Sequence, residues 1–136
     1  IITAKTEKIT YTDTGVASGK TYTYRIRCVD DGAVVSGATV TKSIRFLEAP
    51  AVFLSSTTTG KVKVTWTTSK GADGYEIWRK KGATGSYSRV ATISGGSKDT
   101  WYDKDLTSKA NYYYYAVAVY GDSKSANGPA DYVEVK

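Results

Sequence analysis

Tyr11-Thr-Asp13 and Trp101-Tyr-Asp103 open one phrase that occurs twice in this chain, ninety residues apart. Laid over each other without a gap, Tyr11, Asp13, Val16, Ser18, Tyr22, Tyr24 and Val29 fall on Trp101, Asp103, Leu106, Ser108, Tyr112, Tyr114 and Val119. A fixed internal period means an array of similar units, and about 90 residues is the length of a small β-sandwich. Ten residues precede Tyr11, whereas a whole half-sandwich fits before Trp101. The chain therefore reads as the C-terminal half of one module (1–46), a short linker (47–50) and one complete module (51–136). With no methionine, even at position 1, it also reads as a fragment or processed piece of a longer polypeptide.

Nearly every stretch alternates with a period of two. Lys61-Val-Lys-Val64-Thr-Trp66 is polar and apolar in turn, as a strand with one wet face must be. Tyr75 and Ile77 share one face of the next such stretch. Tyr22, Tyr24, Ile26 and Cys28 share a face while Thr23, Arg25 and Arg27 share the other. Gly71-Ala-Asp-Gly74, Gly82-Ala-Thr-Gly85 and Gly95-Gly96 punctuate the strands as turns. No window carries a helical period, so the chain is all-β. Seven strands are predicted in the complete module, near 51–54, 61–67, 74–80, 88–93, 100–102, 111–120 and 131–136. Residues 1–46 hold counterparts of the last four. Tyr112 to Val119 permits two registers, with either Ala116 and Ala118 or Val117 and Val119 facing inward. The short join at Leu47-Glu-Ala-Pro50 predicts a stiff, extended array.

What is missing limits the chemistry. The chain has one cysteine and no histidine, which removes an internal disulfide, His/Cys metal clusters and the usual histidine-activated serine. No cofactor is expected. No apolar run approaches the roughly 20 residues of a membrane helix. The net charge of +6 comes from scattered lysines and arginines, and it fits a soluble surface. The alternative is attraction to an anionic polymer of the cell wall. Nucleic acid ranks last among partners, because no recognition motif accompanies the charge.

Val62-Lys-Val-Thr-Trp66, Gly71-Ala-Asp-Gly-Tyr-Glu-Ile-Trp78, Trp101-Tyr-Asp103 and the run from Leu106 to Tyr112 resemble, in this order and spacing, the bacterial fibronectin type III family. The resemblance covers essentially the whole chain and implies an immunoglobulin-like β-sandwich. It implies that Trp66 lies between the sheets, and that Leu106 with Tyr112, and Val16 with Tyr22, form the tyrosine corner of each copy. The expected core is Val64, Trp66, Tyr75, Ile77, Leu106 and Tyr112, with Val16, Tyr22, Tyr24, Ile26 and Cys28 in the half-module. The particular phrases look like modules strung along secreted or wall-attached proteins of Gram-positive anaerobes. That implies an extracellular or cell-surface address and neighbouring modules of the same polypeptide as partners. No Arg-Gly-Asp occurs, so the integrin-binding loop of some animal relatives has no counterpart.

The candidate surface comes from the aromatics. The chain has twelve tyrosines and three tryptophans, and Trp78, Tyr87, Trp101, Tyr113 and Tyr115 are placed on outward faces, where sugar rings stack. The competing account is that aromatics are favoured in strands because they shield cross-strand neighbours. Asp103 with Asp105, and Asp30-Asp31-Gly32, read as turn-formers rather than as a hydrolytic pair or a calcium loop. Cys28 reads as a small buried thiol. The expected role is a non-catalytic spacer or interaction module of a larger secreted or surface-anchored bacterial protein. The alternatives are a polysaccharide or cell-wall binding module, and a subunit of a filament or virion surface.

Overall fold

The computed structural model describes residues 10–136, with the side chains of Cys28 and of residues 35–39 outside the description. Strands β1 (Thr21–Asp30) and β2 (Ala33–Arg45) pair as an antiparallel hairpin. Their two-residue turn, Asp31-Gly32, has φ of 44° and 80°, the left-handed pair that a tight hairpin turn demands. Asp30-Asp31-Gly32 is thus a hairpin turn. The predicted strand over residues 10–12 is absent, and the one before it lies outside the described residues. The physical reason is pairing. In the complete module the equivalent strand is held by a neighbour whose counterpart does not occur among the described residues.

The complete module is a two-sheet sandwich. One sheet holds β3 (Val52–Thr58), β4 (Lys61–Trp66) and β7 (Thr100–Asp103), in the order β3-β4-β7. The other holds β5 (Gly74–Lys81), β6 (Ser88–Ser94), β8 (Asn111–Tyr120) and β10 (Asp131–Glu134), in the order β10-β8-β5-β6. A two-residue strand, β9 (Ser123–Lys124), pairs with the end of β8. All pairings are antiparallel. This is the immunoglobulin-like arrangement, three strands against four.

Alternation puts one side chain of each pair into the space between the sheets. Val62, Val64 and Trp66 enter from β4, Tyr75 and Ile77 from β5, and Tyr112, Tyr114, Ala116 and Ala118 from β8. Leu106 and Val135 join the same buried cluster. The alanine register is therefore the one adopted on β8. Ala118 lies beside Tyr75 and Ala116 beside Ile77, so small residues make room for large ones at close-packed density. The Trp66 and Tyr75 rings meet with centroids 5.4 Å apart at 53°, a tilted contact worth about 1 kcal/mol beyond simple burial. Tyr75 carries its hydroxyl to the rim, where it accepts from the Ser69 amide (3.0 Å) and donates to the Gly96 carbonyl (2.8 Å).

Two sequence expectations change here. Leu47, read as linker, is buried in the core cluster. Ile26, read as core, is 66% exposed, and its cross-strand partner Val40 is 63% exposed. The hairpin has the right alternation, but among the described residues no second sheet covers it. Val16, Tyr22 and Tyr24 are half-buried, and the side chain of Cys28 lies outside the described residues.

Candidate interaction surface

On β5 and β8 the side chains that do not enter the core point outward in pairs: Glu76 opposite Val117, Trp78 opposite Tyr115 and Lys80 opposite Tyr113. β10 adds Tyr132 opposite Tyr113. Register thus lines up one aromatic row across three strands. Trp78 and Tyr115 stack at 5.9 Å and 8°, and Tyr87 sets its edge on Tyr115 at 4.7 Å. Tyr113 and Tyr132 stack at 5.2 Å. The Lys80 ammonium lies 5.1 Å from the Tyr87 ring and 4.9 Å from that of Tyr113, bridging the two groups by cation–π attraction.

Glu76 sits beneath this row and is buried, although it belongs to the outer face. Arg89 on β6 and Lys124 on β9 reach its Oε1 at 2.6 and 2.8 Å, and Trp78 Nε1 donates to Oε2 at 3.3 Å. Burial alone pushes its carboxyl up. The hydrogen bonds and charges of Lys124 and Arg89 outweigh that and hold it below the ordinary carboxylate range. Burial also raises Tyr115, with the Glu76 charge adding to it, and raises Tyr87 beside its two tyrosine neighbours.

The structure brings together four of the five candidate residues, Trp78, Tyr87, Tyr113 and Tyr115. Trp101 is a correction. It pairs with Val64 on β4 and packs against the core, while its neighbour Tyr102 faces out under the Lys61 ammonium, 4.4 Å from the ring. Trp101-Tyr102 offers two adjacent aromatics, and only the register against β4 decides which turns inward. Lys80, Glu76 and Tyr132 belong to the surface and were missed. For Tyr132 the signal was present: Val133 and Val135 claim the inner side of the last strand, which leaves Tyr132 outside.

The described residues contain no arrangement suited to hydrolysis. Asp103 is buried and fully engaged: Oδ2 accepts from Arg79 Nη1 (2.8 Å) and the Tyr114 hydroxyl (2.9 Å), and Oδ1 from the Lys104 amide (3.0 Å). Asp105 is an exposed turn residue with φ of 58°. No group of His, Cys, Asp and Glu that could hold a metal occurs among the described residues. No helix there is long and apolar enough to cross a membrane. An open groove of about 330 Å³ lies between Glu48–Ala51 and Thr67–Ser69, away from the aromatic row.

No protein-family model and no curated protein sequence matches the chain. Solved structures do. A crystal structure of an Fn3-like protein from Clostridium thermocellum superposes with a TM-score of 0.53 at 23% identity, over 65% of this chain and 96% of that one. The fn3 domain of human collagen alpha-1(XX) gives 0.56 at 20%, over 65% and 84%. The twitchin kinase region of C. elegans, which includes such a domain, gives 0.56 at 17%, over 65% and 16%. The matched share is close to the share that the complete module makes of the chain. At these identities the likeness speaks for architecture, and with the three-on-four sandwich and its tyrosine corner it establishes that this chain carries the fibronectin type III fold.

Proposed function

We propose that the chain is a non-catalytic spacer and interaction segment of a larger secreted or surface-anchored bacterial protein, its modules holding other domains at a set distance. One observation carries this reading: the complete module spends its reactive and aromatic side chains on itself. The Tyr75, Tyr112 and Tyr114 hydroxyls are bonded internally, Asp103 and Glu76 are each held by cations, and the outer aromatics stack on one another. Neither a catalytic carboxylate pair nor an enclosed cleft accompanies them among the described residues. The bacterial, extracellular setting rests on the sequence phrases, and the Clostridium likeness supports the shared fold.

A second reading keeps one specific observation in its favour. The aromatic row ends at Tyr132, which is 59% exposed beside Tyr113 and Lys80, an open ring edge with a cation nearby. Such an end suits a sugar polymer of a cell wall. Retention on insoluble glucan and on peptidoglycan separates the two. The spacer reading expects no retention of the wild type, and expects Trp78→Ala to cost about 1 kcal/mol of stability through the lost cross-strand stack. Clear wild-type retention, abolished by Trp78→Ala or Tyr132→Ala at unchanged melting temperature, would establish the binding module instead.

A further inference from the structure

The first copy does more than precede the second: it is seated on it through a built contact. Ser18, in the corner before β1, donates from Oγ to the Lys70 carbonyl (3.0 Å) and lies 3.2 Å from the Ser69 hydroxyl. The same oxygen accepts from the Glu48 amide at 3.0 Å, tying the connecting segment into the contact. Beside it two glycine backbones cross. Gly19 and Gly71 have φ of 81° and 82°, and a Cβ on Gly71 would fall 2.5 Å from Gly19 Cα and 2.7 Å from Arg45 Nη2. The bare face of Gly71 therefore makes room for both the corner and the arginine. Arg45, at the end of β2, lays its guanidinium over the Tyr120 ring of β8 at 4.1 Å, and its amide donates to Ser123 Oγ at 3.1 Å.

The connecting residues offer no slack. Leu47 is anchored in the core of the complete module, and Pro50 is fully buried. The repeat also shows that this contact is particular to one end of the module. In the second copy Ser108 is kept, but Lys109 stands in place of Gly19 and Glu134 in place of Arg45, because Val135 makes with Ala110 and Lys109 the backbone bonds that Phe46 makes with Lys20 and Gly19. A Cβ at Gly19 would already meet the Lys70 carbonyl at 2.9 Å, and Glu134 is an exposed residue of the opposite charge to Arg45. The second copy's corner lacks both the glycine and the arginine that the contact uses.

We propose that Ser18, Gly19 and Arg45 on one module, and Ser69, Gly71 and Tyr120 on the next, form a rigid, directional junction that sets the angle between successive modules. The surface around Gly71 and Tyr120 takes a preceding module with Ser-Gly in its corner and arginine at the end of its last strand. The second copy's own corner does not carry those features, so the contact is particular to the first copy's end of the pair. The inference deepens the spacer reading, and its test is separate. A loose joint would overturn the junction and leave the polysaccharide result untouched.

Residual dipolar couplings on the 15N-labelled 136-residue chain test it. Amides of β1 and β2 and those of the complete module are expected to fit one alignment tensor. Gly19→Lys, which installs the second copy's residue, and Tyr120→Ala, which removes the ring from the other side, are each expected to split that fit in two. Ser18→Ala is expected to speed amide exchange at Glu48 roughly three- to tenfold, the loss of one hydrogen bond. Separate tensors in the wild type overturn the proposal, as does one unchanged tensor in both Gly19→Lys and Tyr120→Ala. Because Tyr120 lies outside the hairpin, its variant keeps the test decisive if Gly19→Lys disturbs the corner itself.

Discussion

The two copies of the tyrosine corner make the same local contacts in very different surroundings. In the first, Ala17 donates its amide to the Tyr22 hydroxyl (2.9 Å), and the Tyr24 hydroxyl donates to Asp13 Oδ2 (3.0 Å). In the second, Thr107 donates to Tyr112 (3.3 Å) and Tyr114 to Asp103 Oδ2 (2.9 Å), each partner ninety residues on. The turn differs in detail, with Asp13 Oδ1 accepting from the Gly15 amide two residues on and Asp103 Oδ1 from the Lys104 amide next to it. What differs most is the opposing layer. Tyr114 is fully buried and Asp103 also binds Arg79 from β5, whereas Tyr24 is half-exposed and Asp13 receives no cation among the described residues. Burial, followed by the Asp103 charge, pushes the Tyr114 hydroxyl far above the ordinary phenol range. The corner is thus a local device. Its energetic weight comes from the layer it is pressed against.

The largest expected effect comes from removing that layer's centre. Trp66→Ala should destabilise the complete module by about 3–5 kcal/mol, a large fraction of a small domain's stability. Chemical denaturation followed by tryptophan and tyrosine fluorescence measures it. A loss below about 1 kcal/mol would mean that the ring contributes little to the core. Amide protection at Ala17 in the first corner should be unchanged, because that bond depends on nearby residues alone.

Exchanging the two aspartates is a finer test. Asp103→Asn weakens the bond from Tyr114 and the pairing with Arg79, which is part-exposed, so a loss of about 2 kcal/mol is expected. Asp13→Asn should leave the unfolding midpoint of the complete module where it is. Equal shifts from both substitutions would contradict the claim that context sets the corner's weight.

Acid gives the smallest difference. The Glu76 carboxyl is held below its ordinary value of 4.5, so its ion pairs stabilise the folded module above that pH. The contribution fades as pH falls below 4.5 and through the folded-state value. Melting temperature measured downward from neutral pH should show this loss, and Glu76→Gln should flatten the part of it due to this group. A profile identical in wild type and variant would remove Glu76 from the account. The hairpin has no ion pair of this kind among the described residues.

Much of this architecture was legible because its causes are local. Alternation with a period of two follows from the pleat, so Val62, Val64, Trp66, Tyr75 and Ile77 declare their shared face without any knowledge of the partner sheet. A hydroxyl that reaches an amide five residues back, and an aspartate that bonds an amide one or two residues on, are likewise written within short stretches. The repeat carries the first unchanged to the second copy. The outer aromatic row was half legible, since alternation sends Trp78 and Tyr115 to one face but does not say that they meet. Their contact depends on the register between β5 and β8.

Where pattern offers two equal choices, only packing decides. Adjacent Trp101 and Tyr102 are both good strand residues, and pairing of Trp101 with Val64 is what turns the tryptophan inward. Ala116 and Ala118 face the core because Tyr75 and Ile77 already fill the space beside them. Ile26 is exposed for the converse reason, an inward-type residue that no layer covers among the described residues. Ser18, Gly19 and Arg45 carry no periodic signal, and their roles exist only where Gly71 and Tyr120 approach from far along the chain. Short-range geometry follows from the covalent chain, so the sequence alone determined most of the strands, the turns and the corner. Burial and the junction are relations between distant surfaces, and only the tertiary structure decided them.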